Sequence, residues 1–186
     1  MNRCDVVVWG GGCGGAAAAI QAARAGAKTM LFTPGVWLGG MVSAAGVCAP
    51  DGHELTCWQT GFWGAFLREL HRREPSGLDH NWVSCFGYTP TTAETILQQW
   101  VAAEDQLQWI PQAQLELVHS RADRITGLDV QTPDGPCRVT AEVFIDGSDL
   151  GDRLVTADQP FRWGWESKET WAEPSAPSRK RLQSEP

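Results

Sequence analysis

The segment Cys4 to Phe32, CDVVVWGGGCGGAAAAIQAARAGAKTMLF, restricts the fold more than any other part of the chain. Asp5 to Trp9 is almost wholly apolar and β-branched, the pattern of a strand buried on both faces of a parallel sheet. Glycines follow at once, and from Gly15 to Ala25 the sequence is rich in alanine, the strongest helix former. Gly26 stands where a helix ends in a left-handed residue, and Lys28 to Phe32 reads as a second strand. Strand, glycine turn, helix and strand make one βαβ unit.

Within it, Gly10, Gly12 and Gly15 form G-x-G-x-x-G between a strand and a helix, the setting that gives this short motif its meaning. Gly10 permits the tight turn, Gly12 lets a pyrophosphate approach the backbone, and Gly15 lets helix and strand pack closely. Main-chain amides of this turn, Gly10, Gly11, Gly12, Cys13, Gly14 and Gly15, aided by the helix dipole, are then the candidate diphosphate ligands. The ribose partner in such units is an acid at the end of the second strand. That place holds Thr33, and the following Pro34-Gly35-Val36 offers no arginine for a 2′-phosphate. A neutral hydroxyl in place of a carboxylate predicts binding weaker by about 10- to 100-fold.

Further along, Thr56 with Gln59 and Thr91 with Glu94 have the spacing of capping boxes. Phe62, Trp63, Phe66, Leu67 and Leu70 then share one helical face, as do Ile96, Leu97, Trp100 and Val101. Leu107 to Ile110 reads as a strand. From Leu115 to Val143 the stretches LELVHS, ITGLDVQT and CRVTAEVF alternate, separated by Asp123 and by Pro133-Asp134-Gly135, which predicts a three-stranded antiparallel meander. Its last segment runs into VFIDGSDLGD and a tight turn at Asp146-Gly147. Residues 1–172 are expected to form one domain, and 173–186, with prolines, serines and a basic triplet, a disordered tail. A nicotinamide domain would keep alternating strand and helix. The meander breaks that rhythm, which argues against NAD.

Composition sets the remaining limits. The net charge of −7 argues against a nucleic-acid backbone as partner. Six scattered cysteines without a CxxC pair suggest neither zinc nor an iron–sulfur cluster, and they fit reduced thiols. The N-terminus enters a strand without an export signal, so a cytoplasmic location is expected. Thr29 to Pro50 is uncharged for 22 residues, but glycine and proline punctuate it, and no membrane span is expected.

The N-terminal strand, GxGxxG, helix and strand, the WLGGM at Trp37 to Met41, and the meander returning into VFIDGSDLGD together resemble the FAD-dependent oxidoreductases of the glutathione-reductase-like superfamily. The resemblance covers about residues 5 to 165. It implies a Rossmann-like α/β fold, mainly parallel with a three-stranded meander, bound FAD, and oxidoreductase activity on a small-molecule substrate. It also implies that Gly39, Gly40 and Met41 pass beside the cofactor and that Asp146, Gly147 and Ser148 form a turn near it. Thr33 replaces the usual glutamate, and Asp-Gly-Ser replaces Ala-Thr-Gly. Members of that family continue further, so a truncated product, a split protein with a partner chain, a minimal flavin-binding module and a degenerate, non-catalytic association module stay open.

Among other side chains, Cys48 is a candidate redox thiol, though a cysteine between Val47 and Ala49 is more often a small buried hydrophobe. His53 and His80 are candidate acid–base groups. Trp58, Trp63, Trp100 and Trp109 read as core, whereas Trp163 and Trp165 read as a patch covered by a partner chain or a second copy.

Overall fold

A computed structural model describes residues 2–50, 60–74, 84–151, 157, 162 and 164–179. The strand β2 (Val6–Trp9) lies at the centre of a parallel sheet, paired with β3 (Thr29–Phe32) on one side and β8 (Val143–Asp146) on the other, and β4 (Leu107–Ile110) extends it beyond β3. Alternate residues of β2 face opposite ways. Val6 and Val8 join Ala19, Ile20, Phe66, Leu70 and Ile96 in a core beneath α1 (Cys13–Arg24), α2 (Gly61–Arg73) and α3 (Pro90–Ala102). Val7 and Trp9 join Met30, Phe32, Val118, Leu128, Val130 and Val139 in a second core beneath the meander. Helices, parallel sheet and meander thus form three layers, and the continuous apolar pattern of β2 follows from burial on both faces.

Helix α1 ends as expected at Gly26. Its φ is +90°, and the amides of Gly26 and Ala27 reach back to the carbonyls of Ala23 and Ala22 at 2.8 and 3.1 Å. The meander comprises β5 (Gln114–Arg121), β6 (Arg124–Thr132) and β7 (Gly135–Thr140), with β1 (Asn2–Arg3) added in parallel beside β7. The stretch CRVTAEVF is not one strand. Asp5 O accepts hydrogen bonds from Glu142 N and Val143 N, at 3.2 and 3.0 Å, so the chain leaves the meander after Thr140 and enters the parallel sheet at Val143. The N-terminal chain makes the same change of sheet between β1 and β2, beside it.

Helices α2 and α3 are joined at their ends by Glu74, whose carboxylate accepts from Thr89 N at 2.9 Å. The Thr91–Glu94 capping box does not form. Helix α3 begins at Pro90 after Thr89, with proline in the first turn and no side-chain cap, because proline's fixed φ already suits a helix start. Glu94 is used elsewhere. The Thr56–Gln59 pair lies outside the described residues. Trp63, Trp100 and Trp109 pack against the helical core, as expected, and Trp58 lies outside the described residues.

Phe66, 1% exposed, is surrounded by the rings of Trp63, Tyr88 and Trp100 at centroid distances of 5.7, 6.3 and 6.2 Å. Phe66→Ala is expected to cost about 3–5 kcal/mol of unfolding free energy, seen in urea denaturation as a lower midpoint at unchanged slope. A cost below about 1 kcal/mol would contradict this packing.

Candidate functional site

The ends of β2 and β8 lie side by side, with Trp9 in register with Asp146. Gly147 N donates to Trp9 O at 2.7 Å, and Gly10 N donates to Phe32 O at 2.8 Å. Three glycines then interlock. A Cβ at Gly10, where φ is +96°, would lie 2.5 Å from the Gly147 carbonyl, one at Gly15 would lie 2.0 Å from Gly10 O, and one at Gly147 would lie 2.6 Å from Gly15 Cα. Backbone cannot yield as a flexible side chain can, so the start of α1 rests directly on two strand ends.

Gly12 precedes α1 in extended conformation, with no side-chain cap and no acid in the helix's first turn. Gly14 has open space where a Cβ would be. The first turn is therefore bare, and amides at a helix start are anion ligands in waiting. One carboxylate comes near: Asp149 Oδ1 is 3.1 Å from the position of a Gly12 Cβ.

The loop after β3 closes on this turn. Gly39 pairs with Gly12 as a parallel bridge, and Gly39 N donates to Gly11 O at 2.6 Å. Cys13 Sγ donates to Gly39 O at 2.9 Å, and a Cβ at Gly40 would lie 3.1 Å from Gly12 Cα. Leu38 is fully buried, its carbonyl accepting from Ser43 Oγ and its amide donating to Glu94 Oε2 at 2.6 Å. Met41 is 64% exposed at the edge of the loop.

Glu94 was not singled out as a site residue from sequence, although it falls three residues before Leu97 and seven before Val101, on the apolar stripe of α3. A carboxylate on such a stripe needs partners. Its second oxygen accepts from Gln98 Nε2 at 2.6 Å, and the residue is 6% exposed. Burial pushes its carboxyl above the usual range, while the bonds from Leu38 and Gln98 pull it down.

Thr33 stands where the ribose acid was expected, its Cγ2 2.6 Å from the position of a Gly11 Cβ, but the hydroxyl is not on offer. It donates to Gly35 O at 2.7 Å and accepts from Trp109 Nε1 at 3.0 Å, and Thr33 is 1% exposed. A short β-branched side chain satisfies itself locally, where a longer acid would extend past Gly11. Asp146 Oδ1 accepts from Ser148 N and Oγ at 3.0 and 2.7 Å, whereas Asp146 Oδ2 is buried without a partner among the described residues.

Gly10, Gly11, Gly12, Cys13, Gly15, Gly39, Gly40 and Gly147 are thus brought together, with Gly14, Met41 and Asp146 adjoining. Cys48 is buried, its thiol pushed up by burial. His53, His80 and Trp163 lie outside the described residues, and Trp165 is 61% exposed. Among the described residues no group of three acids, histidines or cysteines could hold a metal ion, and no helix is long and apolar enough to cross a membrane.

The family model for FAD dependent oxidoreductases matches residues 5–184. The chain belongs to that family. FAD is accordingly its cofactor, and the bare turn fits it: uncapped amides suit a diphosphate, and Gly12 and Gly14 keep side chains off its approach. Among solved structures the fold is similar to p-nitrophenol 4-monooxygenase of Pseudomonas putida, with TM-score 0.62 and 13% identity over 89% of this chain and 47% of that one. It is also similar to a myxobacterial chondrochloren halogenase, with TM-score 0.55 and 18% identity over 80% of this chain and 38% of that one. An aromatic hydroxylase from angucycline biosynthesis gives TM-score 0.56 and 17% identity over 88% of this chain and 35% of that one. The chain spans less than half the length of these structures. None of the curated proteins matches it.

The crowding around the motif separates its glycines. Gly15→Ala is expected to lose about 3 kcal/mol or more, or to prevent folding, whereas Gly14→Ala, in open space within a helix, should gain about 0.5–1 kcal/mol by denaturant titration. Equal effects would contradict the interlock. Because the native Glu94 carboxyl takes up its proton at higher pH than in the unfolded chain, its ionised form costs stability above that range. The stability of Glu94→Gln relative to wild type should therefore rise as pH increases above the ordinary carboxylate range near about pH 4, and a flat difference would exclude the upward shift.

Proposed function

We propose that this chain is the nucleotide-binding part of an oxidoreductase that passes electrons between bound FAD and a small organic substrate. The observation that carries the reading is the bare, uncapped first turn of α1, closed on one side by the Gly39–Gly40 loop, in a chain of the FAD dependent oxidoreductase family. FAD, when bound, supplies the electron transfer at its isoalloxazine ring.

The chain's residues bind and orient. Amides of Gly12, Cys13 and Gly14 donate to the diphosphate, while Gly10, Gly11 and Gly15 keep the strand end and the helix start close enough to aim them. Gly39, Gly40 and Met41 line the flavin side, where exposed Met41 and Val47 give an apolar rim. Asp146 and Gly147 close the site at the end of β8, and the free Asp146 Oδ2 is an acceptor for a hydroxyl of the cofactor chain. Thr33 contributes its place beside Gly11 rather than its hydroxyl, so the ribose goes without the carboxylate that strengthens such sites.

Purified protein is expected to carry flavin, visible in its absorbance and in mass spectra after denaturation. Colourless protein whose melting temperature does not respond to added FAD would reject the proposal. Asp149 places a negative charge beside the turn proposed for the diphosphate. Asp149→Asn should therefore tighten FAD binding by about two- to fivefold in fluorescence titration, and weaker binding would mean that Asp149 assists the cofactor instead.

A further inference from the structure

Five hydrogen bonds fix the backbone from Leu38 to Gly39, and four are local to the loop and the glycine junction: Ser43 Oγ to Leu38 O, Gly39 N to Gly11 O, and Cys13 Sγ and Val42 N to Gly39 O. The fifth comes from another helix. Leu38 N donates to Glu94 on α3, a helix that the sequence pattern assigns only to the core. An acid buried among Ala93, Ile96 and Leu97 is an expensive way to build a helix face, since leucine there would be buried without a desolvation penalty. Its geometry is fully specified: one oxygen takes the Leu38 amide at 2.6 Å, and the other is held by Gln98 at 2.6 Å, one turn further along α3. Leu97 Cδ1 lies 2.6 Å from where a Gly39 Cβ would be, so the same helix also presses on the loop's glycine.

We propose that Glu94 is a positioning residue of the FAD site: as acceptor for the Leu38 amide it sets the Gly39–Gly40 backbone against Gly12, and so the shape of the flavin-side wall. The inference rests on the proposed placement of FAD between that loop and the first turn of α1. Glu94 touches the loop and not the cofactor. Its effect passes through two peptide units, and it makes the packing of α3 part of the definition of the site.

The test uses the whole chain, with FAD as the probe, in three variants at Glu94 and one control. Glu94→Ala should raise the FAD dissociation constant about tenfold and speed hydrogen exchange at the Gly39 and Gly40 amides in the cofactor-free protein. Glu94→Gln keeps an acceptor at the same reach and should restore affinity to within about twofold, whereas Glu94→Asp, shorter by one methylene, should behave like alanine. Phe66→Ala destabilises the same helical layer without touching the loop, and its folded fraction should bind FAD as wild type does. Wild-type affinity and exchange in Glu94→Ala would overturn the proposal. Equal loss in Glu94→Gln, or equal loss in Phe66→Ala, would overturn it too, the first removing the acceptor role and the second reducing the effect to stability. Should Glu94→Ala fail to fold, the contrast between Gln and Asp decides. A wild-type chain that takes up no FAD defeats the proposed function instead, and exchange at Gly39 and Gly40 still decides the role of Glu94.

Discussion

The close approach of three backbone segments at Gly10, Gly15 and Gly147 sets the position of everything around it. With no Cβ at any of the three, the end of β2, the end of β8 and the start of α1 meet at distances that no other residue type allows. The helix axis is thereby fixed against the sheet, and with it the direction of the first-turn amides. The loop at Gly39 and Gly40 then packs on the same turn, through a bridge to Gly12 and a hydrogen bond to Gly11. A side chain at the centre of this junction would separate elements that lie far apart in sequence, so local backbone chemistry and long-range topology are one constraint here.

The sheet can bring β8 to that junction because the chain changes layers in a controlled way. Asp5 serves both crossings: its carbonyl receives the amides of Glu142 and Val143, and its carboxylate receives the amide of Lys28 at 2.8 Å. One residue thus joins the starts of β2, β3 and β8. The meander beyond is tied across its own strands by Asp129, which accepts from Arg138 on β7 and from His119 on β5. These polar ties set register, while the two apolar cores on either face of β2 supply most of the stabilisation.

Much of this was legible in the sequence, and for identifiable reasons. The first βαβ unit carries signals that depend on near neighbours alone: a doubly buried strand, glycines, an alanine-rich helix and a left-handed glycine stop. The meander's turns at Asp123 and Asp134-Gly135 were readable for the same reason. The layer change after Thr140 was not, because its cause, the carbonyl of Asp5, lies over 130 residues away in sequence. The spacing of Thr91 and Glu94 satisfied a local rule whose partner was taken by a distant one: the helix starts at Pro90, and the acid serves Leu38. Thr33 was placed correctly at the end of its strand, but the indole of Trp109, which claims its hydroxyl, comes from the neighbouring strand β4.

Thr33 and Glu94 together show how the site differs from the pattern its motif implies. The acid that the glycine motif implies at the end of the second strand is absent, and the hydroxyl in its place is turned inward to Gly35 and Trp109. A buried acid is present on α3, where the motif asks for none, and it accepts from the loop that closes the same turn. The first leaves no free polar group at position 33, whereas the second ties the Leu38 amide to α3. Preorganising a loop lowers the ordering cost that binding would otherwise meet, so under the proposed placement of FAD a firmly held Gly39–Gly40 backbone would offset part of what a carboxylate would have contributed. In the proposed site the backbone around Gly12 would then count through how firmly it is held, and the packing of α3 against the loop that follows β3 is part of that hold.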